Sequence, residues 1–365
     1  MDRRNFLTLA AATAAASLQA GGARAAVSPE APPINGPWRT FDVVTEVEIW
    51  PQDLPARLWL PIAQYGDTDY QRALDVRWTG NPSATGIYRD PRYGAPAFFA
   101  RWDDRSVTPA LQVTNRIATR NRRVDLASPG PVSPLTREES ELYLQPTSHI
   151  PTDGIVRATA TRILPMATTN PVERARAIYD WIVVNTYRDP KVIGCGTGDI
   201  RFMLESGNLG GKCADLNALF VGLARSVGIP ARDVYGVRVA DSATWKSLGK
   251  SGDISKAQHC RAEFYAEGYG WVPVDPADVR KVVLEESPGG LPIDDPKVQR
   301  ARSLLFGSWE MNWIAYNHGH DVALPGASGK PIPFLMYPQG ESGTRRLDSL
   351  DAPAFRYEIH STEVA

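Results

Sequence analysis

Cysteine is scarce in this chain: three in 365 residues, at positions 195, 213 and 260. No two of them form a Cys-x-x-Cys pair, so the spacing used by structural zinc sites is absent. In an oxidising compartment the odd count suggests a free thiol. An excess charge of either sign is also missing. Lys plus Arg number 40 against 41 Asp plus Glu, a formal net charge of −1, which gives neither nucleic acid nor an anionic membrane a reason to bind. The glycine patterns that cradle nucleotide phosphates, G-x-x-x-x-G-K-[ST] and G-x-G-x-x-G, do not occur. No internal apolar run reaches the eighteen or so residues of a spanning helix. His318-Gly-His320-Asp321 has no third ligand at a spacing known for metal sites, so neither a metal nor an organic cofactor is expected. What remains is ordinary globular composition, 43% hydrophobic and 22% charged, long enough for two domains of usual size.

The most informative stretch is GGKCADLNALFVGLARSVGIPAR at 210–232. Leu216, Leu219, Phe220, Leu223 and Val227 recur at helical spacing, Gly228 suits a left-handed cap, and Pro230 stops the helix. Cys213 stands at its start, behind two glycines. Unpaired N–H groups and the positive end of the helix dipole stabilise a thiolate there and offer donors to an oxyanion. Asp215, in the first turn, suits the same dipole. The competing reading is a buried structural cysteine. Downstream, strand-like runs at 259–266 and 271–275 flank a loop at 267–270, with His259 opening the first and Asp275 closing the second. A nucleophile, a base and a carboxylate that orients the base form the logic of acyl transfer. Asp275 followed by Pro276 also reads as a helix N-cap. A symmetric four-residue loop sets Asp275 opposite Ala262, on the face away from His259, so a triad needs an odd loop or a bulge, which Gly268 or Gly270 can supply.

At GKCADLNALFVGLARSVGIPAR, HCRAEF and GWVPVDP the chain resembles the transglutaminase-like superfamily, with its papain-like core. The family's Cys, His and Asp positions fall on Cys213, His259 and Asp275, and the resemblance extends over roughly 170–283. It is weaker in the N-terminal third and the tail, which look similar to bacterial, exported members. The resemblance implies amide acyl transfer through a thioester. Water resolves the thioester in a peptidase or amidase, and an amine does so in a transglutaminase. The exported relatives favour hydrolysis, with a peptide or protein, or cell-wall peptide, as substrate. A catalytically silent, peptide-binding scaffold is the reading from another class.

The expected organisation is α+β. Residues 1–25 read as an export signal of twin-arginine type, with Arg3-Arg4 before Phe6-Leu7, an Ala-rich stretch, and a cleavage site near Ala25. Asp2 departs from the usual Ser or Thr, and a plain secretory signal is the alternative. The mature protein is expected in the periplasm or outside the cell, with no membrane span after signal removal. A linker at 26–37 leads to an antiparallel, sandwich-like β domain at 38–126 and a connector at 127–152. The catalytic domain at 153–285 sets the cysteine helix on an antiparallel sheet, and 286–365 forms an extension packed on that core. Helices are expected at 154–164 and from Asn170-Pro171-x-Glu173 to about 187. The loop at 189–211 should line the site, with Asn208 a candidate oxyanion donor. Trp309 and Trp313 are candidate cleft-wall residues, the other reading being core. Cys195 and Cys260 form either a disulfide or two separate thiols.

Overall fold

Alternating burial organises the first third of the chain. The computed structural model describes residues 36–63, 67–164, 168–351, 353 and 355–364; the expected export signal at 1–25 and nearly all of the linker at 26–37 lie outside them. In β1 (Arg39–Ile49), Phe41, Val43, Val47 and Ile49 are buried while Glu46 and Glu48 face outward, the period of a half-covered strand. Five more strands follow: β2 (Ala56–Pro61), β3 (Gln71–Gly80), β4 (Ala84–Arg89), β5 (Pro96–Trp102) and β6 (Ala110–Thr119).

The segment at 127–152, read as a connector, holds helix α1 (Arg137–Leu144). Its start is a capping box: the Thr136 hydroxyl accepts from Glu139 N–H at 3.1 Å, and Glu139 accepts from Thr136 N–H at 2.9 Å. Helices α2 (Gly154–Ile163) and α3 (Pro171–Asn185) come next, the latter capped by Asn170 Oδ1, which accepts from Val172 N–H at 2.9 Å. After α4 (Ile200–Ser206), helix α5 (Cys213–Ser226) is buried along its whole length. Full burial of Leu216, Leu219, Phe220 and Leu223 contributes about 1.5–3 kcal/mol for each. Gly228, at φ +82°, ends the helix. Strands β7 (Ala231–Arg238), β8 (Gln258–Ala266) and β9 (Gly270–Val274), helices α6 (Pro276–Glu285) and α7 (Pro296–Leu304), and strand β10 (Trp313–Asn317) complete this region. The four strands form one antiparallel sheet in the order β9-β8-β7-β10. Helix α5 lies on it: Phe220 meets Phe264 of β8 at 6.1 Å between ring centroids, within one core that also takes Tyr179 of α3 and Val279 of α6.

The last strands, β11 (Gln339–Ser342), β12 (Arg345–Leu347) and β13 (Phe355–Val364), return to the N-terminal strands. Strand β13 pairs with β1 from Thr40↔Val364 to Ile49↔Phe355, and β11 pairs with β2. The result is two five-stranded sheets, one running β12-β11-β2-β5-β4, the other Gly252–Asp253, β13, β1, β6 and β3. Ile49, Leu58, Phe98, Trp102, Val113 and Phe355 meet between them in a sandwich core. The tail read as an extension on the catalytic core thus supplies strands to the sandwich. Residues Gly252–Asp253, just ahead of His259, pair with β13, so the sandwich edge holds one bank of the site described below. Phe41, Ile117 and Ile359 share a further cluster with Val237 and Ile314, and the described residues fall in a single compact unit. Among them no helix is long and apolar enough to cross a membrane.

Candidate active site

Cys213 is the first residue of α5 and is 3% exposed. Its N–H is one of those a helix start leaves without an internal acceptor. The preceding loop is fastened by Asp215: Oδ1 accepts from Thr197 N–H at 3.0 Å and Gly198 N–H at 2.9 Å, and Oδ2 from Lys212 N–H at 3.0 Å. Ala214 N–H donates to Cys195 carbonyl oxygen at 2.9 Å. The fit leaves no room for a side chain at Gly196, where a Cβ would stand 1.8 Å from Asp215 Oδ2 and φ is +94°. Those glycines therefore let the 194–198 loop close over the start of the helix.

The hairpin resolves the register difficulty. Strands β8 and β9 pair Ala262↔Val274 through Ala266↔Gly270, leaving a three-residue loop at 267–269, with Gly268 at φ +79° and Gly270 at +70°. The loop is odd because Gly270 belongs to the strand. One step past the last pair, Asp275 lies across from Arg261, which shares a face with His259. His259 Nε2–H donates to Asp275 Oδ2 at 2.7 Å, leaving Nδ1 for the thiol side. Asp275 holds both roles the sequence offers it, since its Oδ1 also caps α6 by accepting from Asp278 N–H at 3.0 Å.

Charge follows from these contacts. The Cys195 and Cys260 thiols next to Cys213, together with His259, hold Cys213 well below the ordinary thiol range against the opposing effect of burial. Cys195 is raised well above that range, first by the neighbouring Cys213 and then by burial; burial and then Cys213 do the same to Cys260. Burial works against a charged His259, but the carboxylates of Asp278 and Asp275 outweigh it and lift the ring to about 9. Both shifts favour the thiolate–imidazolium form of the pair. All three cysteines are free thiols; Cys195 Sγ donates to Gln258 carbonyl oxygen at 3.1 Å, and Cys260 lies in the core.

Two expectations are corrected. Asn208 does not line the cleft; its Oδ1 accepts from Tyr187 hydroxyl at 2.8 Å and Gly210 N–H at 3.1 Å, as a loop asparagine does. Trp309 and Trp313 are 0% exposed and form no cleft wall. They support the site from behind: Trp313 Nε1–H donates to His259 carbonyl oxygen at 2.8 Å, and the Arg261 guanidinium lies 4.8 Å from the Trp313 ring centroid and 5.5 Å from that of Trp309.

Several residues escaped the sequence reading. Asp278 Oδ2 lies 3.4 Å from His259 Nε2 while its Oδ1 accepts from Arg238 Nη2 at 2.6 Å. Arg261 Nε stands 3.6 Å from Asp275. Asn217, one turn along α5 from Cys213, donates to Cys260 carbonyl oxygen at 2.8 Å and to Asp275 Oδ1 at 3.3 Å, tying helix to hairpin. The helical i+3 spacing from Asp275 to Asp278 is the one signal that could have found the second carboxylate. His259, Asp275 and Asp278 offer ligand atoms within 4.8 Å of one another, but Arg238 and Arg261 already supply the compensating positive charge, so the donor set does not suit a cation. Cys213 and His259 open on a cleft of about 610 Å³ that also reaches Tyr337, Leu350 and Tyr357.

A sequence model of the transglutaminase-like superfamily matches residues 157–276, a segment that contains Cys213, His259 and Asp275. An uncharacterized protein of Haemophilus influenzae is 38% identical over 323 residues, covering 84% of this chain and 86% of its own length. The chain belongs to the transglutaminase-like superfamily. Among solved structures, a candidate cysteine protease of Cytophaga hutchinsonii matches with a TM-score of 0.56 at 15% identity, over 90% of this chain and 93% of that one. That likeness is one of fold. The periplasmic domain of TgpA from Pseudomonas aeruginosa aligns over 76% of this chain and 79% of its own, at 16% identity and a TM-score of 0.37.

Proposed function

We propose that this member of the transglutaminase-like superfamily is a cysteine-dependent amide acyl-transfer enzyme in which Cys213 is the nucleophile, His259 the acid and base, and Asp275 the orienter. The observation that carries this reading is the 2.7 Å contact from His259 Nε2 to Asp275 beside a thiol held below its usual range at a helix start. The Cys213 thiolate attacks an amide carbonyl carbon, forming the C–S bond and an oxyanion that the Cys213 N–H is placed to receive. His259 passes its proton to the leaving nitrogen as the C–N bond breaks, and a thioester remains. An incoming water gives a proton to His259 and attacks the thioester, and the thiolate leaves as free acid forms. An attacking amine in place of water completes a transfer.

Hydrolysis of peptide, isopeptide or other amide bonds is the favoured outcome, with cell-wall peptide among the candidate substrates. The test is a peptide-library incubation with and without a primary amine, using Cys213→Ala as control. Free acid in both arms supports the hydrolase, and amine-bearing product supports the transglutaminase. Absence of any acyl adduct on Cys213 leaves the peptide-binding scaffold. The paired arginines Arg3-Arg4 support export to the periplasm; periplasmic fractionation of the wild-type chain against Arg3→Lys/Arg4→Lys tests this, and equal export of the two favours a plain secretory route.

A further inference from the structure

The whole chain is nearly neutral, at −1, yet the cleft is not. Its banks carry six cations: Arg188, Lys212 and Lys281 beside α5 and α6, Arg238 of β7, and Lys250 and Lys256 on the loop that leads into β8. Among the described residues three carboxylates answer them. Asp253 sits on the loop bank, Glu285 pairs with Arg188 at 2.5 Å and with Lys281 at 3.6 Å, and Asp278 takes Arg238 at 2.6 Å. Six cations against three carboxylates leave three positive charges on the banks of the cleft. Among the described residues no carboxylate lies within 4.0 Å of the Lys212, Lys250 or Lys256 ammonium. Lys250 and Lys256 are exposed, whereas Lys212 is half-buried beside the nucleophile.

Unanswered charge of one sign in a concave site focuses the field and selects for the opposite sign. We infer that the cleft selects an acidic acyl donor: a peptide carrying Asp, Glu or free carboxylates on both sides of the amide, one group toward Lys212 and Arg188, the other toward Lys250 and Lys256. This rests on Cys213 being the nucleophile. The two banks belong to elements distant in sequence; Glu286, at the end of α6, ties them by accepting from Lys246 N–H at 3.2 Å and Ser247 N–H at 3.1 Å on the loop.

The test uses covalent traps that need the nucleophile but no known substrate. Cys213 is alkylated at pH 6 with iodoacetate and with iodoacetamide, and with two peptidyl chloromethyl ketones identical except for Glu or Lys flanks. Relative to glutathione, the iodoacetate to iodoacetamide rate ratio at Cys213 should be raised about tenfold, and the Glu-flanked ketone should outpace its Lys-flanked twin by a similar factor. Both preferences should shrink as sodium chloride is raised. Lys250→Glu/Lys256→Glu should reverse the ketone preference, and the milder Lys250→Gln/Lys256→Gln, checked for an intact thermal transition, should reduce it. Equal rates for the two ketones, or a preference that neither pair of substitutions moves, would overturn the inference while leaving the nucleophile in place. Sluggish alkylation by every reagent, no faster than at Cys195, would instead overturn the nucleophile assignment and the inference with it.

Discussion

Two groups of buried histidine lie among the described residues, and they differ in charge. His259, 4% exposed, faces Asp275 at 2.7 Å and Asp278 at 3.4 Å; against the opposing effect of burial, these carboxylates raise it to about 9. His318 and His320 are similarly buried, and burial, reinforced by the Arg232 guanidinium at His318 and by Arg225 at His320, holds both well below the ordinary imidazole range. His318 Nε2 meets Tyr143 hydroxyl at 2.8 Å, and His320 has Asp233 only at 3.7 Å. Burial raises Asp233 itself to about 8, so near neutrality neither partner is charged. The same side chain is thus an acid in one place and a neutral core group in the other, and the neighbouring carboxylates decide which.

Substitution of each group is the most forceful way to break this contrast. Cys213→Ala should abolish turnover and His259→Ala should lower it by about 10²–10⁴-fold, the range of a positioned acid-base group. His320→Gln should leave kcat/KM within about threefold and instead cost about 1–3 kcal/mol of stability, because a buried polar site is disturbed. Turnover and thermal melting of the three variants check this; a catalytic loss in His320→Gln matching that of His259→Ala would erase the distinction.

The two carboxylates can be separated next. Asp275→Asn removes the shortest contact to the ring and the cap of α6, and a loss of about 10²–10³ in kcat is expected, less than for a triad with one carboxylate because Asp278 remains. Asp278→Asn should cost about tenfold in kcat with KM little changed. It also leaves Arg238 buried beside a neutral partner, a loss of about 3–5 kcal/mol in stability. The readout that marks Asp278 as a positioning residue is pH: its removal should shift the alkaline limb of the kcat/KM profile downward. An unmoved limb would reduce Asp278 to a structural partner of Arg238.

In the wild type that limb should fall near pH 9, where His259 loses the proton it must give to the leaving nitrogen. The acid limb should lie well below the ordinary thiol range, set by Cys213. Stability has the same sign. His259 is raised on folding from the ordinary imidazole value of 6.5 to about 9, so its contribution is complete below 6.5 and is lost as pH rises through 9. Thermal melting between pH 6 and 10, wild type against His259→Gln, should show a difference that narrows through this window.

The chemistry was easier to read from the sequence than the geometry. Cys213 and His259 announce themselves by a helix start and a strand start, both local patterns. Asp275 was readable as a residue but not as a direction, because its face depends on whether Gly270 belongs to the loop or to the strand, and the backbone settles that at φ +70°. The Thr136 capping box lay in plain view inside a stretch whose proline and serine content suggested a connector. Pairing of Thr40 with Val364 joins opposite ends of the chain, and no local pattern carries that. The cleft cations, spread from Arg188 to Lys281, are hidden for the same reason.

The tryptophans give the smallest test of the contrast. Aromatic density near position 310 was legible, but density does not say which side of a sheet it covers. The rings lie behind β8, where Trp313 Nε1–H donates to the His259 carbonyl oxygen and the ring faces Arg261. Trp313→Phe removes one hydrogen bond and keeps an aromatic face, so a cost of about 1 kcal/mol in stability is expected. If the ring only fills the core, kcat and the alkaline limb stay at wild-type values. If it also fixes the strand that carries His259, kcat falls severalfold with KM unchanged, since the reacting ring and not the substrate is displaced. Given the 2.8 Å contact to the residue that carries the base, the second outcome is expected, and the kcat to KM split reads it directly.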